Sequence, residues 1–481
     1  MISCSRSLPS PMRRPRHPAV PSALANLCRL LPAVCALVPA APAIAQKPLE
    51  TAPPNVAAAV TQRGWSFLRE VARLSPMPPG TDPDRAQTLP RAETYIYHYY
   101  DGREVVHRRA PGVQVTVDHS SGRHQQGVAW TGRFFDDVDV SIDPNSGLVT
   151  GFMDRALSGA LSADPAPDRA HWLTKDQAIG RAARYLHAAG IPSREFVFQD
   201  FAIHDIGQPN AHSRQAFVTL GRIWMGVPYL SGEGQATFLM DAQYGRLIGY
   251  GAQVGALSPK SDRLAISYQK AVQIAREFLG AHGETVTGGS DGELRVQLPN
   301  NYWARQGKSV VTTSSQAHLT WFIGTHVKSK HTFSDRRTVY AQVDATTGEV
   351  VGGEERNYAQ NDTISTDVSA FRARLHTATR LVLTPMKAGG ASRVLSLAAT
   401  PLPFYGVLSQ FWDTEAYRRP DFAASHKLSV TFSDGGKAEF EIDQAQNLLR
   451  GSDDGKPVMA RMGICFAAWV DDAWTRANAG L

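Results

Sequence analysis

Ser141 to Phe152 read SIDPNSGLVTGF, and two later stretches carry the same phrase: LMDAQYGRLIGY, Leu239 to Tyr250, and QVDATTGEVVGG, Gln342 to Gly353. Each has Asp, three residues, Gly, one residue, then Val or Leu. A degenerate fourth copy, EIDQAQNLLR from Glu441 to Arg450, has Asp443 followed by Asn447, so successive Asp residues fall 98, 103 and 99 positions apart. An Asp that opens a turn accepts bonds from the backbone N–H groups ahead of it. The Gly takes positive φ at little steric cost, and Asn is the next best residue there. The phrase therefore predicts a hairpin, closed at Asp143/Gly147, Asp241/Gly245 and Asp344/Gly348. One carboxylate per turn is too few for calcium, which takes six or more oxygens.

The flanks of the phrase repeat as well. LTKDQAIGRAARYLHAAG, Leu173 to Gly190, has Thr174 and Gln177 at capping-box spacing and one apolar stripe of Ala178, Ile179, Ala182, Ala183, Tyr185 and Leu186. ISYQKAVQIAREFLGAHG, Ile266 to Gly283, superimposes on it after a shift of 93, with Ser267 as cap. Short stretches rich in β-branched and aromatic residues separate helix from phrase: Ala216 to Leu220, Gln235 to Met240, Leu319 to Ile323 and Thr338 to Val343. GALS follows the first phrase at Gly159 and the second at Gly255. A first stretch has its own helix near Val56 to Leu74, then alternating Tyr95, Tyr97 and Tyr99 before an Asp101-Gly102 turn. The last stretch is least regular, with a hairpin at KLSVTFSDGGKAEFEID and a helix near Cys465 to Arg476.

Arg13, Arg14 and Arg16 precede an apolar run, Leu30 to Ala45, that ends in Ala43-Ile44-Ala45. This reads as a secretory signal peptide, too short and too Pro-broken for a spanning helix. The full chain carries 50 basic and 44 acidic residues; residues 1–45 hold five Arg and no acid, so the remainder is close to neutral. No basic patch argues for nucleic acid. Cys4, Cys28 and Cys35 fall in the leader, which leaves Cys465 without a disulfide partner and, among apolar neighbours, a buried inert thiol.

Helix, antiparallel strands and a closing Asp-x-x-x-Gly-x-Val hairpin resemble the PepSY module of bacterial exported proteins. GRIWMGVPYL, Gly221 to Leu230, with Arg222, Gly226, Val227 and Pro228, resembles the related YcdB/YcdC-type repeat. The resemblance is good over 172–256, fair over 265–355 and 95–160, and poor beyond 363. It implies a non-enzymatic exported module that inhibits proteases or binds other envelope components. The chain has no His-Glu-x-x-His, so inhibition would act in trans.

Catalytic signals are thin. TGGSDGE holds a G-x-S-x-G with Ser290 at its centre, but a nucleophile elbow needs a strand before and a helix after, and here the order is reversed. His98, His107, His119 and His124, with Asp118, match no zinc spacing. Asp136-Asp137 and Asp471-Asp472 read as solvated acids, and the Tyr95/Tyr97/Tyr99 face as packing.

The sequence thus predicts an α+β protein of tandem modules, each one helix packed on an antiparallel β-sheet. The expected boundaries are a leader over 1–45, a flexible 46–55, modules over 56–160, 172–256 and 265–355, and a C-terminal α+β module over 363–481. The expected function is non-catalytic binding of a protein or peptide in the cell envelope, with no catalytic, cofactor or metal residues and no cofactor. The expected location is secreted or periplasmic, at the membrane only with the leader retained. The alternatives are a serine hydrolase using Ser290, which a fluorophosphonate probe would label, and a purely structural envelope component.

Overall fold

The computed structural model describes residues 50–51, 54–74, 96–98, 104–106, 109–120, 127–135, 138–143, 146–154, 172–208, 211–230, 233–242, 245–254, 256–305, 316–328, 336–358, 366–387, 389–409, 412–413 and 421–479. The leader, the Asp101-Gly102 turn and Asp136-Asp137 lie outside them. So do Tyr95, Tyr99, His107 and His124. For His98, His119, Asp118 and Tyr97 only the backbone is described.

The chain is β-rich. In order come β1 (Glu50–Thr51), β2 (Ile96–His98), β3 (Glu104–Val106), β4 (Arg109–Ser120), β5 (Gly127–Phe135), β6 (Val138–Ile142), β7 (Val149–Asp154), β8 (Phe196–Gln208), β9 (Ala211–Trp224), β10 (Val227–Pro228), β11 (Gln235–Asp241) and β12 (Leu247–Ala252). Among the described residues β2 and β3 pair only with each other; the rest form one ten-stranded antiparallel sheet, ordered β1-β4-β5-β6-β7-β12-β11-β9-β10, with β8 also paired to β9. Helices α1 (Pro54–Leu74) and α2 (Lys175–Ala188) share its core. Phe67 and Leu68 of α1, Ile179, Ala182 and Leu186 of α2, and Val140, Phe152, Val218 and Phe238 from the strands are all buried in one cluster.

A four-stranded sheet follows: β13 (Val286–Gln297), β14 (His318–Val327), β15 (Arg336–Asp344) and β16 (Val350–Tyr358), with α3 (Tyr268–Ala281) against it and the short α4 (Tyr302–Arg305) beside β16. The third sheet has seven strands: β17 (Ala378–Pro385), β18 (Arg393–Ser396), β19 (Trp412–Asp413), β20 (His426–Phe432), β21 (Lys437–Asp443), β22 (Leu448–Asp453) and β23 (Lys456–Arg461), ordered β18-β17-β20-β21-β22-β23-β19. Among the described residues four helices belong to this part of the chain: α5 (Thr366–Leu375), α6 (Pro401–Val407), α7 (Ile464–Val470) and α8 (Ala473–Asn478).

This corrects the predicted α+β array of one-helix modules. The first two stretches do not make separate sheets. β7 pairs with β12, Met153 to Gly249 and Phe152 to Tyr250, which fuses them. Two edge strands left bare would each carry a row of unpaired backbone groups, and pairing them removes both rows. The seven-stranded sheet has several short helices rather than one long one.

The repeated phrase itself is real at the level of the turn. Gly147, Gly245 and Gly348 sit at φ 68°, 68° and 82°, and Asn447 at 54°. In the three glycine turns the Gly N–H donates to the Asp carbonyl at 2.9 Å. A register shift precedes each Asp, at Ser141/Ile142, Leu239/Met240 and Gln342/Val343, so all three hairpins carry a bulge at the same place. Asp143 Oδ1 accepts from Ser146 N, and Asp344 Oδ1 from the amides of Thr346 and Thr347. Thr174 and Gln177 make the full capping box on α2, and Ser267 caps α3. The chain entering α2 donates from Leu173 to Ala242 O, and the chain entering α3 donates from Ile266 to Ala345 O, in each case the residue after the Asp.

Candidate binding edge

The residues flagged for chemistry are dispersed. Ser290 lies inside β13, not in a loop between helix and strand and not at an elbow. Its Oγ is 2.9 Å from Thr325 Oγ1 and 3.5 Å from Arg276 Nη1, so a hydroxyl and a guanidinium attend it in place of a base. The nearby His326 directs Nδ1 to Thr338 Oγ1 instead, at 3.0 Å. Burial pushes the Cys465 thiol up to about 12, which leaves no thiolate at neutral pH. Asp471 accepts from Lys175 Nζ at 3.1 Å and from Ala473 N at 2.9 Å, so it is a hydrogen-bonded, ion-paired acid rather than a solvated one. Among the described residues no group of three or more His, Cys, Asp or Glu side chains is placed to hold a metal ion.

What the fold does present is strand edges, and they differ. The outer edge of β16 is stopped by Asn300, whose side chain donates to Gly353 O and accepts from Gly353 N, both at 3.0 Å. Trp303 Nε1 donates to Gly352 O at 2.7 Å. Together they imitate a neighbouring strand. β13 is met by Leu230, whose N–H donates to Val296 O at 2.9 Å. β18 is an edge of only four residues, and short edges are poor templates.

Among the described residues two long edges remain: β4, with 12 residues and only the two-residue β1 on its outer side, and β8. β8 has 13 residues, and among the described residues it pairs with β9 alone, from Phe196 opposite Arg222 to Gln208 opposite Ala211. Its first half is fixed from outside. Ile464 of α7 packs so closely on Gly221 that a Cβ there would lie 2.4 Å from its Cδ1. Trp474 Nε1 of α8 donates to Ser193 O at 3.2 Å, and Lys175 Nζ sits 4.6 Å over the Phe198 ring. A register shift between Phe198 and Asp200 then bends the strand, and Phe201 N is capped by Asp200 Oδ1 at 2.9 Å. Beyond the bend Phe201, Ala202, Ile203 and His204 are half-buried. The His204 ring meets Phe217 edge-on at 5.1 Å. The outward backbone groups of this half can take an extended peptide, with hydrogen bonds setting affinity and alternate side chains setting preference.

The sequence reading missed β8. In REFVFQDFAIHD the large apolar residues fall at Phe196 and Phe198, then at Phe201 and Ile203, with Val197 and Ala202 between the members of each pair. The alternation slips by one at the bulge, which hides a period of two. A scan that allows one slip would recover it. No family model matches the chain, and no curated protein matches it.

Proposed function

We propose that the chain is an exported, non-catalytic binding protein of the cell envelope that takes an extended segment of a protein or peptide partner onto β8. The observation that carries this reading is the long β8 edge, unoccupied by any other described strand, while β13 is met by Leu230 and β16 is plugged at Val351–Gly353. Export is supported by the basic, apolar and small-residue pattern of residues 1–45. No described helix is long and apolar enough to cross a membrane. Holding a protease's extended segment would give the inhibition in trans that the PepSY resemblance implies.

The test uses a fluorescein-labelled nonapeptide library with Val, Ile and Phe at alternate positions, followed by amide exchange on the bound protein. The expected result is saturable anisotropy, with new protection confined to amides between Asp200 and Gln208. Binding without protection there, or no binding, overturns the site. Turnover of a substrate by the protein, lost on one polar substitution, overturns the non-catalytic reading.

A further inference from the structure

His376 lies between α5 and β17, where the four-stranded and seven-stranded sheets meet. α5 itself packs on both β13 and β23. The imidazole is 3% exposed. It stacks on Tyr268 of α3 with ring centroids 3.9 Å apart and planes 19° apart. Trp321 of β14 stands edge-on at 5.9 Å and Tyr405 of α6 lies at 6.2 Å.

The hydrogen bonding fixes the tautomer. Nε2 lies 2.6 Å from Gly292 O of β13, an atom that only accepts, so Nε2 carries the hydrogen. Nδ1 is then the basic nitrogen, and it is buried with no hydrogen-bond partner among the described residues. Among the described residues the charged and titratable groups around the ring are few. Asp291 of β13 is held by Arg372 of α5 in an ion pair at the rim. Tyr268 and Tyr405 contribute phenols whose ionisation burial pushes up, so both stay neutral. A proton arriving at Nδ1 would place a cation in an apolar box where the one nearby carboxylate is already engaged.

We propose that His376 is an acid-sensitive latch, in which protonation of Nδ1 releases α5 and the seven-stranded sheet from the four-stranded sheet. Burial holds the closed-state imidazole down to about 4, against 6.5 when it faces water. The sign follows: the closed state binds the proton less readily than the open one. Its advantage is complete above about pH 6.5 and falls about tenfold per pH unit below that, to a total of roughly 300-fold near pH 4. Stacked aromatic rings attract a cation and soften the effect without supplying an acceptor for Nδ1–H.

Amide exchange of the whole protein from pH 7 to 4.5, with the intrinsic rate at each pH divided out, tests the latch. Every form compared carries Glu233→Gln, which removes the buried carboxyl beside β13 that titrates over the same range with the opposite sign. Protection of 286–297 and 366–385 should fall below about pH 6.5 with a slope of one proton. His376→Gln, which keeps an N–H for Gly292 O, and His376→Phe, which fills the box, should both show flat profiles over these segments. A flat profile with His376 in place, or His376 variants that keep its slope, overturns the proposal. Should both variants fail to fold, deuterium exchange at the His376 C2–H of the wild type decides it. A midpoint below about pH 5.5 supports the latch and a higher one overturns it.

Discussion

Asp241 and Arg246 face each other across the second turn with both side chains sealed from solvent, each 1% exposed, and Arg246 Nε 3.6 Å from Asp241 Oδ2. Removing one member of a buried ion pair leaves an uncompensated charge, which costs about 3–5 kcal/mol, whereas replacing both is far milder. Arg246→Met should therefore lower the unfolding free energy by about 3–5 kcal/mol in urea. The double variant Asp241→Asn, Arg246→Met should regain most of the loss. Additive losses would show that the two side chains do not depend on each other.

The glycines of the first and third turns should separate two costs. Gly147 at φ 68° has open space where a Cβ would go, so Gly147→Ala should cost about 1–2 kcal/mol for the left-handed backbone alone. At Gly348 a Cβ would lie 3.3 Å from Ile266 Cδ1 and Ile274 Cδ1, so Gly348→Val should cost more than Gly147→Ala by about 1–3 kcal/mol of overpacking. Thermal melts of the two variants measure the difference, and an unchanged melt for Gly348→Val would contradict the turn.

Glu233 gives a pH dependence of opposite sign to that of His376. It is 5% exposed beside β13, where its Oε2 accepts from Leu298 N at 2.8 Å. Burial raises its carboxyl to about 7, partly offset by the Leu298 amide and Arg295. The folded state thus holds the proton more tightly than the unfolded one. Its stabilising contribution is complete below about pH 4.5 and is lost as the pH rises through 7. Glu233→Gln should be more stable than wild type at pH 8 by about 1–3 kcal/mol, with the gap closing toward pH 5. A gap that stays constant with pH would show that Glu233 does not titrate in this range.

Cys465 is 7% exposed and makes the simplest probe of packing around α7. Iodoacetamide at pH 8 should leave it unmodified in the native protein and alkylate it fully in guanidinium, as read by intact mass. Rapid native labelling would mean that α7 leaves β9 readily.

The turns and caps were legible because each needs a particular residue for a local reason. Positive φ selects Gly147, Gly245, Gly348 and Asn447, and an N-cap selects Thr174 and Ser267. The assembly of sheets was not, because a ladder between distant strands is made by backbone groups that every residue carries. The β7–β12 seam runs through Gly151, Gly249 and Gly251, residues that leave no side-chain pattern to read. The β8 edge was hidden by its bulge. Glu233 and His376 owe their properties to burial by elements far away in sequence, so nothing beside them marks either one.

The joining of β7 to β12 also sets where the protein can be divided. A fragment ending in the link after Asp154, or one starting at Trp172, would carry away half of a shared lamina and expose a fresh ladder on Val149–Asp154 or Leu247–Ala252. Such pieces would tend to clump through those raw borders. The smallest portion that could be exchanged between genes, or expressed by itself, therefore spans both of the first two turns.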